Sequence, residues 1–159
     1  LVQIRSDRPD TVSFVTFSMG AMVVRMLLQQ MQQDATFPAI DKIVMIAAPN
    51  KGTPVADYFY KCKIARWIAG PNLKELTVQY RSDHPLPVPD NNYVLILGIR
   101  NTKKGYNRFL KTDNDGYVIP EKAILGTEKA IYYVHASHNA LPGNKNVINH
   151  VREQFKSKL

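Results

Sequence analysis

Ser18 stands in Thr16-Phe17-Ser18-Met19-Gly20. Here the β-branched run Thr11-Val12-Ser13-Phe14-Val15 gives way to the amphipathic run Ala21-Met22-Val23-Val24-Arg25-Met26-Leu27-Leu28. A serine on a sharp turn between a buried strand and a helix has the mechanics of a nucleophile elbow. The turn lifts the hydroxyl above the sheet, and the helix N-terminus turns free N–H groups toward the reacting centre. Such a hydroxyl attacks a carbonyl when a base takes its proton and an acid orients that base. The same serine could also serve as a cap for the following helix, so its chemistry depends on what the rest of the chain supplies.

Four histidines are available as the base: His84, His135, His138 and His150. Open α/β sheets gather their sites at the carboxyl ends of the strands. His138 falls in the loop Ser137-His138-Asn139-Ala140-Leu141-Pro142, just past the fourth expected strand. It is preferred to His135, which sits at the strand's end where its side chain can face the wrong way. His84 lies in a proline-rich connector and His150 inside the last helix. For the acid, Asp115 is followed by Gly116, which permits a tight turn. Asp113 and Asp90 compete with it.

The elements that must position these residues alternate between strand and helix, which implies a mostly parallel sheet flanked by helices. Strands are expected at 11–17, 42–48, 93–98 and 130–134. The second is a continuous apolar run, as a central parallel strand should be. Helices are expected at 20–33, 55–68, 72–76 and 146–156. In the first, Met22, Val23, Met26 and Leu27 recur at helical spacing. The proline-rich stretch 82–90 cannot hold a regular element, and 100–114 reads as a long polar loop. Tyr58, Phe59, Tyr60 and Trp67 read as helix packing or rim, Tyr132 and Tyr133 as sheet residues, and Asn50, Lys51 and Thr53 as turn chemistry.

With 159 residues and 45% hydrophobic content the chain can build one domain with a real core. No apolar run approaches the roughly 18 residues of a membrane span, and no signal-peptide pattern is visible. The single cysteine, Cys62, falls in an expected helix. It gives no internal disulfide and no zinc-site spacing, and it leans toward a reducing, cytoplasmic compartment. The net charge of +8 comes from scattered Lys and Arg without interleaved aromatics, which argues against nucleic acid as the partner. It reads as a solvated surface that favours anionic substrates or lipid head groups.

The motifs together resemble the α/β-hydrolase superfamily, in its lipase- and esterase-like branch. Phe14 to Arg25 is similar to an elbow that commonly reads T-H-S-M-G-G-L-V-V-R. Val44 to Thr53 resembles the next strand with its A-P-N-x-G-S/T turn. Asp115-Gly116-Tyr117-Val118 resembles the D-G-x-V acid motif, and His138 falls at the catalytic histidine, ahead of a C-terminal helix. The order Ser, Asp, His is the order of that fold. The resemblance implies a serine hydrolase of carboxylic esters, acyl lipids among them, working without metal or cofactor on a small-molecule or lipid ester. Ser18 would be the nucleophile, His138 the general base and acid, Asp115 the orienting acid and the Met19 N–H an oxyanion donor.

Three features depart from that pattern. Phe17 replaces the usual His before the serine, and Ala21 replaces the second Gly. Before the elbow strand stand only about ten residues, where related hydrolases carry several strands and the loop that donates a second oxyanion N–H. The expectation is a single domain over 1–159, the C-terminal part of an α/β-hydrolase fold, whose open sheet edge is covered by a further N-terminal segment or by another chain. Two other functions share this reading: an interaction domain with impaired catalysis, and an acyltransferase on the same fold.

Overall fold

The computed structural model describes residues 7, 9–31, 34, 37–63, 67, 70, 72–90 and 92–156. Four strands, β1 (Thr11–Phe17), β2 (Ala39–Ile46), β3 (Tyr93–Ile99) and β4 (Ala130–His135), form one sheet in that spatial order, every pair parallel. Parallel neighbours need crossovers, and crossovers put helices on the faces. These are α1 (Gly20–Met31), α2 (Pro54–Tyr60), α3 (Asn72–Glu75), α4 (Val78–Asp83), α5 (Pro120–Ala123) and α6 (Lys145–Phe155).

Side chains alternate across the central strands and split the core in two. Ile43 and Met45 of β2 and Tyr93, Leu95 and Leu97 of β3 pack with Ala21, Val24 and Leu28 of α1 and Ala123 of α5. Val44, Ile46 and Ile96 face the other way, onto Val134, Leu141 and Val147 of α6. Both faces are covered, so β2 and β3 read as unbroken apolar runs. This is the parallel sheet flanked by helices that the alternating pattern predicts. Among the described residues no helix is long and apolar enough to cross a membrane.

Several boundaries differ from the sequence expectation. β2 begins at Ala39, because Ala39 and Ile40 pair with Thr11 and Val12 of β1 despite the polar residues that follow them. It ends at Ile46: Ala47 takes φ 50° and turns its N–H onto the Ile96 carbonyl at 2.8 Å. In α1 the buried face is Ala21, Met22, Val24, Arg25 and Leu28, while Val23 and Met26 are exposed. The apolar stripe at 22, 23, 26 and 27 is therefore about one position out of phase. α2 stops at Tyr60, which leaves Cys62 exposed beyond the helix; much of the remaining expected helix, including residues 64–66, lies outside the described residues. Tyr58, Phe59 and Trp67 are exposed, so they are rim and not packing. α4 runs two residues into the proline-rich stretch, started by a Thr77 cap whose hydroxyl accepts from the Tyr80 N–H.

Arg25 is the unexpected member of the core, 2% exposed. Its Nε donates to the Pro87 carbonyl at 2.8 Å and Nη2 to the Leu86 carbonyl at 2.6 Å. Nη1 donates to both oxygens of Asn50. One guanidinium thus ties α1 to the turn after β2 and to the proline-rich connector, supplying donors to a segment that cannot pair its own carbonyls. Burial pulls its pKa down to about 10; Tyr93 opposes the fall and the Arg81 charge adds to it. It stays charged at neutral pH.

β1 pairs only with β2, so among the described residues its other edge is free. Val15, on that strand, is 51% exposed.

Candidate active site

Ser18 follows β1 directly and takes φ 51°, in the left-handed region. A helix cap sits in the extended region, so the capping reading does not describe this serine. Its N–H donates to the Ile46 carbonyl at 2.8 Å and its carbonyl accepts from Ala21, which locks the sharp turn from strand to helix. The left-handed backbone costs a non-glycine residue roughly 1–2 kcal/mol, and it lifts the side chain clear of the sheet. Met19 and its N–H come next, immediately before α1, where helix N–H groups lack intrahelical partners.

β1 and β4 are the outer strands, about 14 Å apart in a flat sheet. A side chain after β4 can meet Ser18 only if its loop leans across the top of β3. Gly98 of β3 permits this. A Cβ there would lie 2.7 Å from the Ala136 carbonyl oxygen, 2.7 Å from the Asp115 Cβ and 3.0 Å from Leu141. Gly98→Ala is expected to destabilise the fold by about 1–3 kcal/mol through overpacking. Thermal melting checks this; an unchanged midpoint would contradict the close approach.

Beyond that crossing, His138 opens a 3-10 turn (His138–Ala140) and is buried, its backbone N–H donating to the Asp115 carbonyl at 2.8 Å. Its Nε2 lies 2.9 Å from Ser18 Oγ and its Nδ1 2.7 Å from Asp115 Oδ2. Asp115 is 1% exposed. Its Oδ1 accepts the N–H groups of Tyr117 (2.9 Å) and Val118 (2.8 Å), a turn that Gly116 completes with φ 114°. Beneath it the buried Asn114 donates to the Lys104, Asn107 and Thr112 carbonyls and accepts from Asn107 and Gly116. The loop that holds Asp115 is thereby pinned from inside.

The hydrogen-bond donors fix the tautomer. A carboxylate only accepts, so the His138 Nδ1 facing it carries the proton, and the Nε2 lone pair faces Ser18. A hydroxyl donating to a neutral imidazole, itself held by a buried carboxylate, can lose its proton to the ring as it attacks an electrophile.

The structure thus brings Ser18, His138 and Asp115 into one hydrogen-bonded chain. It does not bring the competitors there. His135 is exposed and stands against the Tyr106 ring, His84 stacks on Tyr80 and His150 on Tyr132. Asp113 accepts from the Arg100 and Asn101 N–H groups, and Asp90 lies exposed on the rim of a cleft beside Pro89 and Asn92. No group of three His, Cys, Asp or Glu able to hold a metal occurs among the described residues. Thr53 caps α2 and its hydroxyl donates to the Tyr117 carbonyl, while Asn50 holds Arg25 and the Ala123 carbonyl.

Two aromatic rings flank His138: Phe17 at 4.8 Å and Tyr117 at 5.1 Å between centroids. The placement of Tyr117 is invisible in its motif, where it occupies the variable position. Tyr117 also walls an open groove of about 670 Å³ that continues along Val55, Phe59, Tyr106 and Phe109.

The family described as a domain of unknown function (DUF7379) matches residues 1–68. No curated protein sequence matches the chain. Among solved structures it is similar to the mature form of Bacillus licheniformis lipase BlEst2, at 18% identity and a TM-score of 0.67, over 96% of this chain and 69% of that one. It is similar to the metagenomic carboxyl esterase MGS0156, at 25% identity and 0.63, over 88% of this chain and 49% of that one. It is also similar to the lin2722 gene product of Listeria innocua, at 16% identity and 0.60, over 99% of this chain and 62% of that one. The chain thus spans about half to two thirds of the length of these structures. Its four parallel strands and flanking helices form an α/β-hydrolase-like fold.

Proposed function

We propose that this chain carries the catalytic centre of a serine hydrolase of carboxylic esters, acyl lipids among them. The observation that carries the reading is the unbroken hydrogen-bonded chain from Ser18 Oγ through the His138 ring to Asp115. Ser18 Oγ attacks the ester carbonyl while His138 Nε2 takes its proton. The tetrahedral oxyanion turns toward the Met19 N–H. Collapse breaks the bond to the alcohol oxygen, which leaves with the proton from His138. Water, deprotonated by the same nitrogen, then attacks the acyl-serine, and the acid departs as Ser18 regains its proton. Asp115 holds the ring and stabilises the imidazolium throughout.

A second oxyanion donor completes this site, and losing one such donor costs about 100- to 1000-fold in rate. We assign its source to an element seated on the free edge of β1, a further segment of the protein or another chain. The exposed Val15 of β1 supports this. The domain over 1–159 is then the C-terminal part of the complete fold.

A fluorophosphonate probe tests the nucleophile, because it bonds covalently only to an activated serine. Peptide mass spectrometry is expected to find one adduct, on Ser18. Absence of that adduct in protein with its β1 edge covered would overturn the reading.

A further inference from the structure

The segment 100–117 carries more than Asp115. Arg100, Lys103, Lys104, Arg108 and Lys111 are all exposed, and no Asp or Glu occurs from 100 to 112. The first acid, Asp113, is occupied by the Arg100 and Asn101 N–H groups. At the tip of this basic loop the 3-10 turn Arg108–Leu110 holds Phe109 out in solvent, 92% exposed. The exposure is built in. The Asn107 side chain accepts the Phe109 N–H at 3.1 Å, Lys111 closes the turn with φ 55°, and the buried Asn114 pins Asn107 on both of its backbone groups.

Scattered exposed apolar residues need no explanation, but contiguous ones mark an interaction surface. Here Phe109 lines a groove with Phe59 of α2 and Tyr117, both exposed, and Tyr117 touches His138. The exposed Tyr58 precedes Phe59 in the chain. Asp57 of α2 accepts the Val78 N–H and lines a separate cleft with Lys61.

We infer that this face docks on an anionic lipid surface, with Phe109 entering the acyl boundary and the lysines and arginines of loop 100–111 on the head groups. A protruding ring on a loop of exposed cations suits a fluid anionic interface, which needs no matching pocket. Docking would set the mouth of the groove, and His138 behind Tyr117, against the lipid. Resting on the ester-hydrolase reading, this names the substrate class: esters drawn from an anionic membrane.

The test is co-sedimentation of the full chain with phosphatidylcholine vesicles, with and without about 30 mol% phosphatidylserine. Binding is expected to rise at least about tenfold with phosphatidylserine and to fall with added salt. Phe109→Ser is expected to weaken it about tenfold. The double variant Lys103→Glu, Lys104→Glu is expected to weaken it by about tenfold or more, with turnover of a water-soluble acetate ester unchanged. No vesicle binding, equal binding to neutral vesicles, or an unaltered Phe109→Ser variant would each overturn the inference. So would a dimer, broken by Phe109→Ser, that leaves vesicles unbound. Turnover of the soluble ester without vesicle binding removes only the docking. Vesicle binding with neither turnover nor a fluorophosphonate adduct on Ser18, in protein whose β1 edge is covered, removes the hydrolase reading and leaves the docking.

Discussion

Replacing Ser18 with alanine is expected to lower kcat for ester hydrolysis by about 10⁶-fold, the loss typical when a catalytic serine is removed from a working triad. Alanine leaves no atom to form the acyl intermediate, and residual turnover must come from water deprotonated by His138. The fold should not notice. Alanine meets the same left-handed backbone cost at φ 51° as serine, and the partly exposed hydroxyl makes one hydrogen bond, to His138. Ser18→Gly separates the two roles of the residue. It is equally inactive, but glycine adopts φ 51° without a Cβ penalty, so it should melt above the alanine variant by about 1 kcal/mol of stability. Steady-state kinetics and thermal melts of the pair are the measurement. Turnover retained in Ser18→Ala would place the nucleophile elsewhere. Equal melting of the two variants would deny that the elbow stores strain.

What could be read from the residues, and what could not, divides along physical lines. β2 and β3 are buried on both faces, so their apolar runs are legible without any knowledge of neighbours. The Ser18 turn is legible because a β-branched run and a helical period meet there within a few residues. The same local logic leads from Asp115 to Gly116. Features created by non-local packing are not legible in this way. Arg25 looks like an exposed helical charge until the proline-rich connector brings carbonyls to it. α4 and α5 are too short to show a period and owe their existence to a Thr77 cap and a Pro120 start. The phase of α1 is not legible locally because Val23 and Met26 are apolar yet stand in solvent, while Arg25 is buried. The meeting of His138 with Ser18 depends on Gly98, in another strand, whose missing Cβ lets the last loop cross the sheet. A glycine inside a strand hints at close backbone approach, but nothing local says what approaches.

Asp115→Asn should also be strongly damaging, though about 100-fold less than loss of the serine, by a route that leaves the structure intact. The Asp115 Oδ1 position receives two backbone N–H groups, from Tyr117 and Val118, and only an acceptor can stand there. An asparagine must therefore put its carbonyl oxygen on that side and its NH₂ where Oδ2 faces His138 Nδ1. An NH₂ only donates. The ring answers by presenting a lone pair at Nδ1 and moving its proton to Nε2, which points at Ser18 Oγ. The base is then already protonated toward the nucleophile, and turnover is expected to fall about 10⁴-fold. Every hydrogen bond of the buried carboxylate keeps a partner, so the melting temperature should barely move. Asp115→Ala inverts the balance of evidence: it strands two backbone N–H groups and the His138 ring in a site closed to solvent. That variant should lose about 3 kcal/mol or more of stability along with its activity. Kinetics and melts of both variants distinguish a tautomer switch from simple collapse. If Asp115→Asn melts as early as Asp115→Ala, the carboxylate is a structural post. If it melts like the parent and is inactive, Asp115 acts on the reaction by deciding which nitrogen of His138 holds the proton.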